Sequence, residues 1–338
     1  MRLSLALGRG VVSLPEAGRV LLLRPPGDLD LGGLPVDRLW AHQPFRPDHD
    51  ALAARGVAAS RELPDGAAAA VLFVPRSRAL ARDLAARAVA RLPEGAPLIV
   101  DGAKADGVEA LLRDLRDVAP VGEVWSKAHG KVFALPAPAR LPDGWRAPPA
   151  EVGGWTVAPG VFSADGPDPG SAALADALPP LSGAVCDLGA GWGYLSARVL
   201  AASPAVASLD MVEAEAEALD CARANVGDPR ARARWADAAR WDGGPYDAVV
   251  CNPPFHPARR ADPSLGRAFI AAAARMLAPR GRAWFVANRH LPYEGALGDA
   301  FGEVSTLAEG GGYKVVEAAR PRGARGGRAG GRPGGRRR

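Results

Sequence analysis

The sequence predicts an α/β protein in two successive parts, the second a doubly wound sheet closed by an antiparallel hairpin. Three observations carry this. Short apolar runs alternate with helical stretches through both halves. A stretch holding Pro136, Pro138, Pro142, Pro148 and Pro149 separates the halves as a stiff linker. In the second half a glycine-rich turn, Gly189-Ala190-Gly191-Trp192-Gly193, follows directly on a strand ending in Asp187.

In the first half, Val20-Leu21-Leu22-Leu23 and Ala69-Ala70-Val71-Leu72-Phe73-Val74 read as buried strands. A helix over roughly 77–92 follows and ends at Pro93-Glu94-Gly95. Leu98-Ile99-Val100 is a third strand, 108–117 a further helix, and Val132-Phe133-Ala134-Leu135 a last strand. Residues 1–145 form one domain. The strand at Phe73-Val74 ends in Pro75-Arg76-Ser77-Arg78, and this half has no clear glycine-rich loop.

The second domain spans 151–319. It opens on Trp155, Gly160-Val161-Phe162-Ser163, Asp168 and Gly170-Ser171. Strands are expected at 184–187, 206–212, 232–235, 246–251 and 283–287, with helices at 194–202, 214–225 and 265–277 between them. Runs at 301–307 and 313–319 around Gly310-Gly311-Gly312 read as a hairpin.

Residues 320–338 are an Arg/Gly-rich tail, expected to be disordered. The net charge is +5, but subtracting the eight arginines of this tail leaves −3 for residues 1–319. The tail reads either as an electrostatic arm for RNA or as a dispensable basic extension. No run of about twenty apolar residues suggests a membrane span. Met1–Leu5 leads into Gly8-Arg9-Gly10 without a signal peptide. Three scattered cysteines and five scattered histidines give no disulfide framework and no metal spacing. A reduced, cytoplasmic monomer without a metal is expected.

Candidate chemistry gathers at the carboxyl ends of strands, where open α/β sheets bind ligands. At the first end, Asp187, Gly189, Ala190, Gly191 and Gly193 make a loop that a ligand can approach closely. The second strand ends in Asp210-Met211-Val212-Glu213, and an acid there can accept both hydroxyls of a ribose. Glu213, twelve residues before Asn225, is favoured over Asp210. Asp237, after the third strand, can accept from an adenine amine. The fourth strand ends in Asn252-Pro253-Pro254-Phe255. Proline fixes its own φ and drives the preceding residue into an extended shape. The Asn252 amide oxygen and the Pro253 carbonyl then stand as two acceptors on a stiff frame beside an aromatic ring, a fit for an exocyclic amine on a planar base.

This ordered set resembles the class I S-adenosylmethionine-dependent methyltransferases, among which Asn-Pro-Pro-aromatic marks the amino-methylating members. Further segments narrow the likeness. Asn252 to His256, Val286-Ala287-Asn288, Leu291-Pro292-Tyr293 and Gly312-Tyr313-Lys314-Val315 are similar to the bacterial ribosomal RNA small-subunit guanine-N2 methyltransferases. So are Gly160-Val161-Phe162-Ser163, Gly170-Ser171 and Lys127-Ala128-His129-Gly130-Lys131. The resemblance implies two tandem Rossmann-like methyltransferase domains, the first degenerate and serving substrate binding or structure. It implies S-adenosyl-L-methionine as cofactor and ribosomal RNA or the small ribosomal subunit as partner. The reaction is methyl transfer to the N2 amine of a guanosine in 16S rRNA. Phe162, Ser163, His256, Arg259 and Arg260 are candidate substrate contacts. Here the chain departs from the family, which continues Asn-Pro-Pro-Phe-His with Asp-Gly. Pro257-Ala258-Arg259-Arg260 stand instead, and the two arginines suit phosphate contact. Other readings are another amine target (a 23S rRNA guanine N2, an adenine N6 or a protein glutamine) and a non-catalytic RNA-binding module. An NAD oxidoreductase fits poorly, because Asn-Pro-Pro-Phe has no role in hydride transfer.

Overall fold

The computed structural model describes residues 2–254, 263–289 and 293–322. It contains two seven-stranded sheets and a small two-stranded ribbon. The chain opens with α1 (Arg2–Gly8), β1 (Arg19–Leu23), β2 (Leu39–His42), α2 (Arg46–Ala53), β3 (Ala58–Ser60) and β4 (Ala67–Phe73). Then come α3 (Arg78–Val89), β5 (Pro97–Ala103), α4 (Val108–Arg116), β6 (Trp125–Lys127) and β7 (Gly130–Pro136). The sheet order is β3-β2-β1-β4-β5-β7-β6. The first five strands are parallel, and β7 runs antiparallel to both β5 and β6.

The continuous apolar runs follow from helices on both faces of this sheet. Along β1, Leu21 and Leu23 enter one core with Leu72, Leu84 and Leu111, while Val20 and Leu22 enter another with Leu3, Leu52 and Ile99. The two-residue period of a strand forces this split. α3 starts where the sequence places it, because the Ser77 side chain accepts the Leu80 N–H at 3.3 Å.

The linker leads into β8 (Ala150–Val152) and β9 (Trp155–Val157), an antiparallel ribbon the sequence did not reveal. Its turn is Gly153-Gly154, both at positive φ (56° and 83°), as a two-residue hairpin requires.

The second sheet is built from α5 (Pro169–Ala177), β10 (Gly183–Leu188), α6 (Tyr194–Ala202), β11 (Val206–Glu213), α7 (Ala216–Asn225) and β12 (Ala231–Trp235). β13 (Tyr246–Cys251), α8 (Pro263–Met276), β14 (Leu277–Asn288), α9 (Glu294–Ala300), β15 (Phe301–Gly310) and β16 (Tyr313–Pro321) complete it. Its order, β12-β11-β10-β13-β14-β16-β15, repeats that of the first sheet strand for strand. β15 and β16 form the expected antiparallel hairpin. β14 is longer than expected. It starts at Leu277 and runs through Pro279-Arg280-Gly281, with the register against β13 shifting between Tyr246 and Ala248. β16 extends through Arg320, whose guanidinium pairs with Glu303 at 3.0 Å.

The described residues group into two compact units. One gathers those up to Asp168 with Ala190–Ala197 and Met211–Asp237; the other gathers Pro169–Gly189, Arg198–Asp210 and those from Ala238 on. No helix among the described residues is long and apolar enough to cross a membrane.

Candidate active site

In the second unit, β13 is driven into the sheet by Val249, Val250 and Cys251, all fully buried. Parallel pairing sets Asp187 against Val250. β10 and β13 therefore end side by side, with Gly189 just past one end and Asn252 just past the other. Pro253 is buried and Pro254 exposed. The Asn252 Nδ2 donates to Ser171 Oγ at 2.8 Å, and Ser171 lies in the first turn of α5. With the nitrogen turned to Ser171, the amide oxygen is the acceptor end of the side chain.

Asp187 is fully buried. Burial, and then the Asp187 charge, push the neighbouring Cys186 and Cys251 thiols well up. Neither is a thiolate at neutral pH, so neither can serve as a nucleophile.

The structure gives Asp210 a different task from the ribose contact the sequence allowed it. Its Oδ2 accepts the Tyr246 hydroxyl at 2.7 Å, and Trp241 Nε1 donates to the same phenol at 3.0 Å. Burial, then the Asp210 bond, push the Tyr246 phenol up, which keeps it a donor. Asp210 lies inside β11 rather than at its end.

In the first unit the glycine loop meets the end of β11. The Ala190 N–H donates to the Val212 carbonyl at 3.0 Å and pins the loop to β11. The Gly191 N–H donates to Glu213 Oε2 and the Glu215 N–H to Glu213 Oε1, both at 2.8 Å. Glu213 ends its strand with its carboxylate turned to the loop. Burial pushes its pKa up, while the backbone N–H donors from Glu215 and Gly191 pull the other way. Ala236 N–H donates to the Glu213 carbonyl at 3.0 Å, which sets Asp237 beside the same strand end.

The loop glycines differ in purpose. Gly191 is left-handed (φ 55°) and a Cβ there would meet nothing within 4 Å, so it faces open space. A Cβ on Gly193 (φ 93°) would lie 2.9 Å from Val226 and 3.1 Å from Ala222, so it is needed for close packing on α7. The open space at Gly191, directly beside the Glu213 carboxylate, suits the ribose of an adenosyl cofactor.

Phe162 projects its ring outward at 65% exposure. Its backbone is held by Trp192 Nε1, which donates to the Phe162 carbonyl at 3.0 Å. Ser163 is strained at φ 53° and its hydroxyl donates to the Gly166 carbonyl at 2.7 Å. Phe255, His256, Arg259 and Arg260 lie outside the described residues, as does the tail beyond Arg322.

Sequence reasoning missed Asn225 as a structural hub. Its Oδ1 accepts the Thr156 N–H at 2.7 Å, and its Nδ2 donates to the Thr156 and Trp192 carbonyls at 2.8 Å. It ties ribbon, loop and α7 together, above a cluster of Trp155, Trp192 and Tyr194 rings with centroids 5.3–5.9 Å apart. The only hint in the sequence was an Asn at a helix end.

The methyltransferase small domain family model matches residues 155–317. A ribosomal RNA small subunit methyltransferase C from Pseudomonas paraeruginosa is 34% identical over 314 residues, covering 86% of this chain and 94% of that one. The protein of the same name from Chromohalobacter salexigens is 34% identical over 265 residues, covering 75% and 78%. Among solved structures, the T. thermophilus 16S rRNA N2 G1207 methyltransferase in complex with AdoMet and guanosine matches with a TM-score of 0.76. That match is at 26% identity and covers 95% of this chain and 92% of that one.

Proposed function

Since the chain belongs to the ribosomal RNA small subunit methyltransferase C family, we propose that it methylates the N2 amine of a guanosine in 16S rRNA, using S-adenosylmethionine. The observation that carries this reading is Asn252, just past the end of β13 with its Nδ2 donating to Ser171.

A guanine amine is a weak nucleophile because its lone pair is delocalised into the ring. The Asn252 oxygen and the Pro253 carbonyl accept its two hydrogens and turn the lone pair outward. No strong base is required beforehand, since the amine becomes acidic only once it is methylated. The bound cofactor supplies an electrophilic sulfonium methyl. Glu213 takes the ribose hydroxyls and Asp237 the adenine amine. The backbone around Gly191 and the Asp187 carboxylate would hold the remainder. Phe162 and Phe255 offer rings for stacking on a base drawn out of its helix. Ser163, His256, Arg259 and Arg260 complete the RNA contacts, the arginines at phosphates. Positioning of this kind supplies several kcal/mol of the barrier. The first sheet, with residues 1–145, serves RNA binding or structure, and the basic tail adds an electrostatic arm. A ribosomal RNA substrate is consistent with work in the cytoplasm.

The test is transfer of a labelled methyl group onto separated 30S, 50S and protein fractions, followed by mapping of the modified nucleotide. Label on the N2 of a 16S guanosine is expected. Label confined to 50S RNA or to protein would overturn the reading.

A further inference from the structure

The segment carrying Glu213 is held by the first half of the chain, within one compact unit. The turn after β2 clasps it. Ala216 N–H donates to the Pro44 carbonyl at 3.0 Å, and Arg46 N–H to the Ala214 carbonyl at 2.9 Å. Trp235 Nε1 donates to the Pro44 and Ala214 carbonyls at 3.0 and 2.9 Å. A β-bridge joins Phe45 to Glu215.

Just past β1, Arg24 adopts a left-handed conformation (φ 53°), with its N–H donating to the His42 carbonyl at 2.8 Å. Few residues other than glycine do this without strain. The conformation delivers the guanidinium to Glu215, which accepts from both Nη1 (3.3 Å) and Nη2 (2.5 Å). Glu217 Oε2 lies 3.5 Å from Nη1. Both side chains of the main pair are largely buried, at 17% and 19% exposure. Burial opposes the Arg24 charge, but the Glu215 and Glu217 carboxylates outweigh it and raise the pKa of the guanidinium. The Glu215 N–H in turn donates to Glu213 Oε1.

We infer that Arg24 is a positioning residue for the cofactor site: by clamping Glu215 it aims the Glu213 carboxylate at the ribose. This rests on the reading of Glu213 as the ribose acid. Three carboxylates, at 213, 215 and 217, crowd one strand end. Arg87 also pairs with Glu217 at 3.3 Å, so loss of the Arg24 cation leaves Glu215 the uncompensated one, and its repulsion with Glu213 displaces the segment and with it the Glu215 N–H.

The test titrates the full-length chain with S-adenosylmethionine by calorimetry, comparing Arg24→Met, Arg24→Lys, Glu215→Gln and Glu213→Ala. Arg24→Met is expected to weaken cofactor binding about tenfold or more, the scale of a lost charged hydrogen-bond pair. Its kcat at saturating cofactor should stay near that of the parent. Arg24→Lys should restore part of the affinity. The double variant of Arg24→Met with Glu215→Gln should bind no more weakly than the weaker single one. A folded Arg24→Met chain with parental affinity overturns the inference. Should that variant not fold, Glu215→Gln decides by the same measure. Undiminished affinity in Glu213→Ala would instead overturn the ribose assignment itself, whatever Arg24 shows.

Discussion

The two sheets share one strand order and differ at the ends of their strands. Past the first strand stand Arg24 in one and Gly189 in the other, both left-handed (φ 53° and 81°). The second strand ends in His42 in one and Glu213 in the other. Past the fourth stand Val74-Pro75 and Asn252-Pro253. Backbone geometry is thus kept where the chemistry differs. The lesson is that topology fixes where a site lies, while a few strand-end residues decide whether it is one. In the first sheet those positions are filled by an arginine, a buried histidine and a valine.

The sharpest way to break this comparison is to alter the fourth strand ends in parallel. Asn252→Ala should lower the methyl-transfer rate by more than about a hundredfold with cofactor affinity retained, since orientation of the amine is lost. Val74→Ala, its counterpart, should leave transfer near normal and cost roughly 1–3 kcal/mol in chemical denaturation, as expected for a buried side chain shortened. Equal loss of transfer in both would sink the division of labour.

The second strand ends differ in their response to acid. Burial, then the Arg87 and Arg24 charges, hold His42 neutral with its pKa lowered to about 3. The unfolded chain takes up this proton near pH 6.5 and the folded chain does not. Stability is therefore unaffected above that pH and drains between 6.5 and about 3, at about 1.4 kcal/mol per pH unit. Denaturation midpoints across this window should show the slope, and His42→Leu should flatten it. Glu213 shifts the opposite way. Its pKa is raised by burial, so its acceptor form is lost earlier on acidification than for an ordinary glutamate. Cofactor affinity should fall several-fold as pH drops through that raised pKa, the scale of one weakened hydrogen bond. Glu213→Gln should bind more weakly but with a flatter pH profile.

The smallest effect belongs far from either site. Arg320→Ala removes an exposed pair with Glu303, and should change stability by less than about 1 kcal/mol. A larger loss would mean that the end of β16 carries more of the fold than its exposure suggests.

Much of this was legible beforehand. Tyr194–Ala202 and Tyr246–Cys251 stand where the sequence places them, because local apolar patterning and flanking turns define such elements. β2, α2 and β3 were not seen. Leu39–His42 is only four residues long, and Arg46–Ala53 opens on Arg-Pro-Asp-His-Asp, a polar face that shows no apolar stripe. α5 begins at Pro169-Gly170-Ser171, weak helix formers that are ordered by docking. The Asn225 and Trp192 contacts join residues thirty or more positions apart, which no local pattern encodes.

By itself the sequence determined the kinds of group at each strand end: a glycine loop, an acid, and a stiff Asn-Pro-Pro. Those are local matters of backbone restriction and side-chain type. Only the tertiary structure sets Asp210 and Glu213 apart in their partners. The two are three residues apart, an odd number, so in a strand their side chains leave opposite faces. One meets Tyr246 and the other the Gly191 loop. Tertiary structure also brought Arg24 to Glu215 across 191 positions, because only folding makes residues so distant into neighbours.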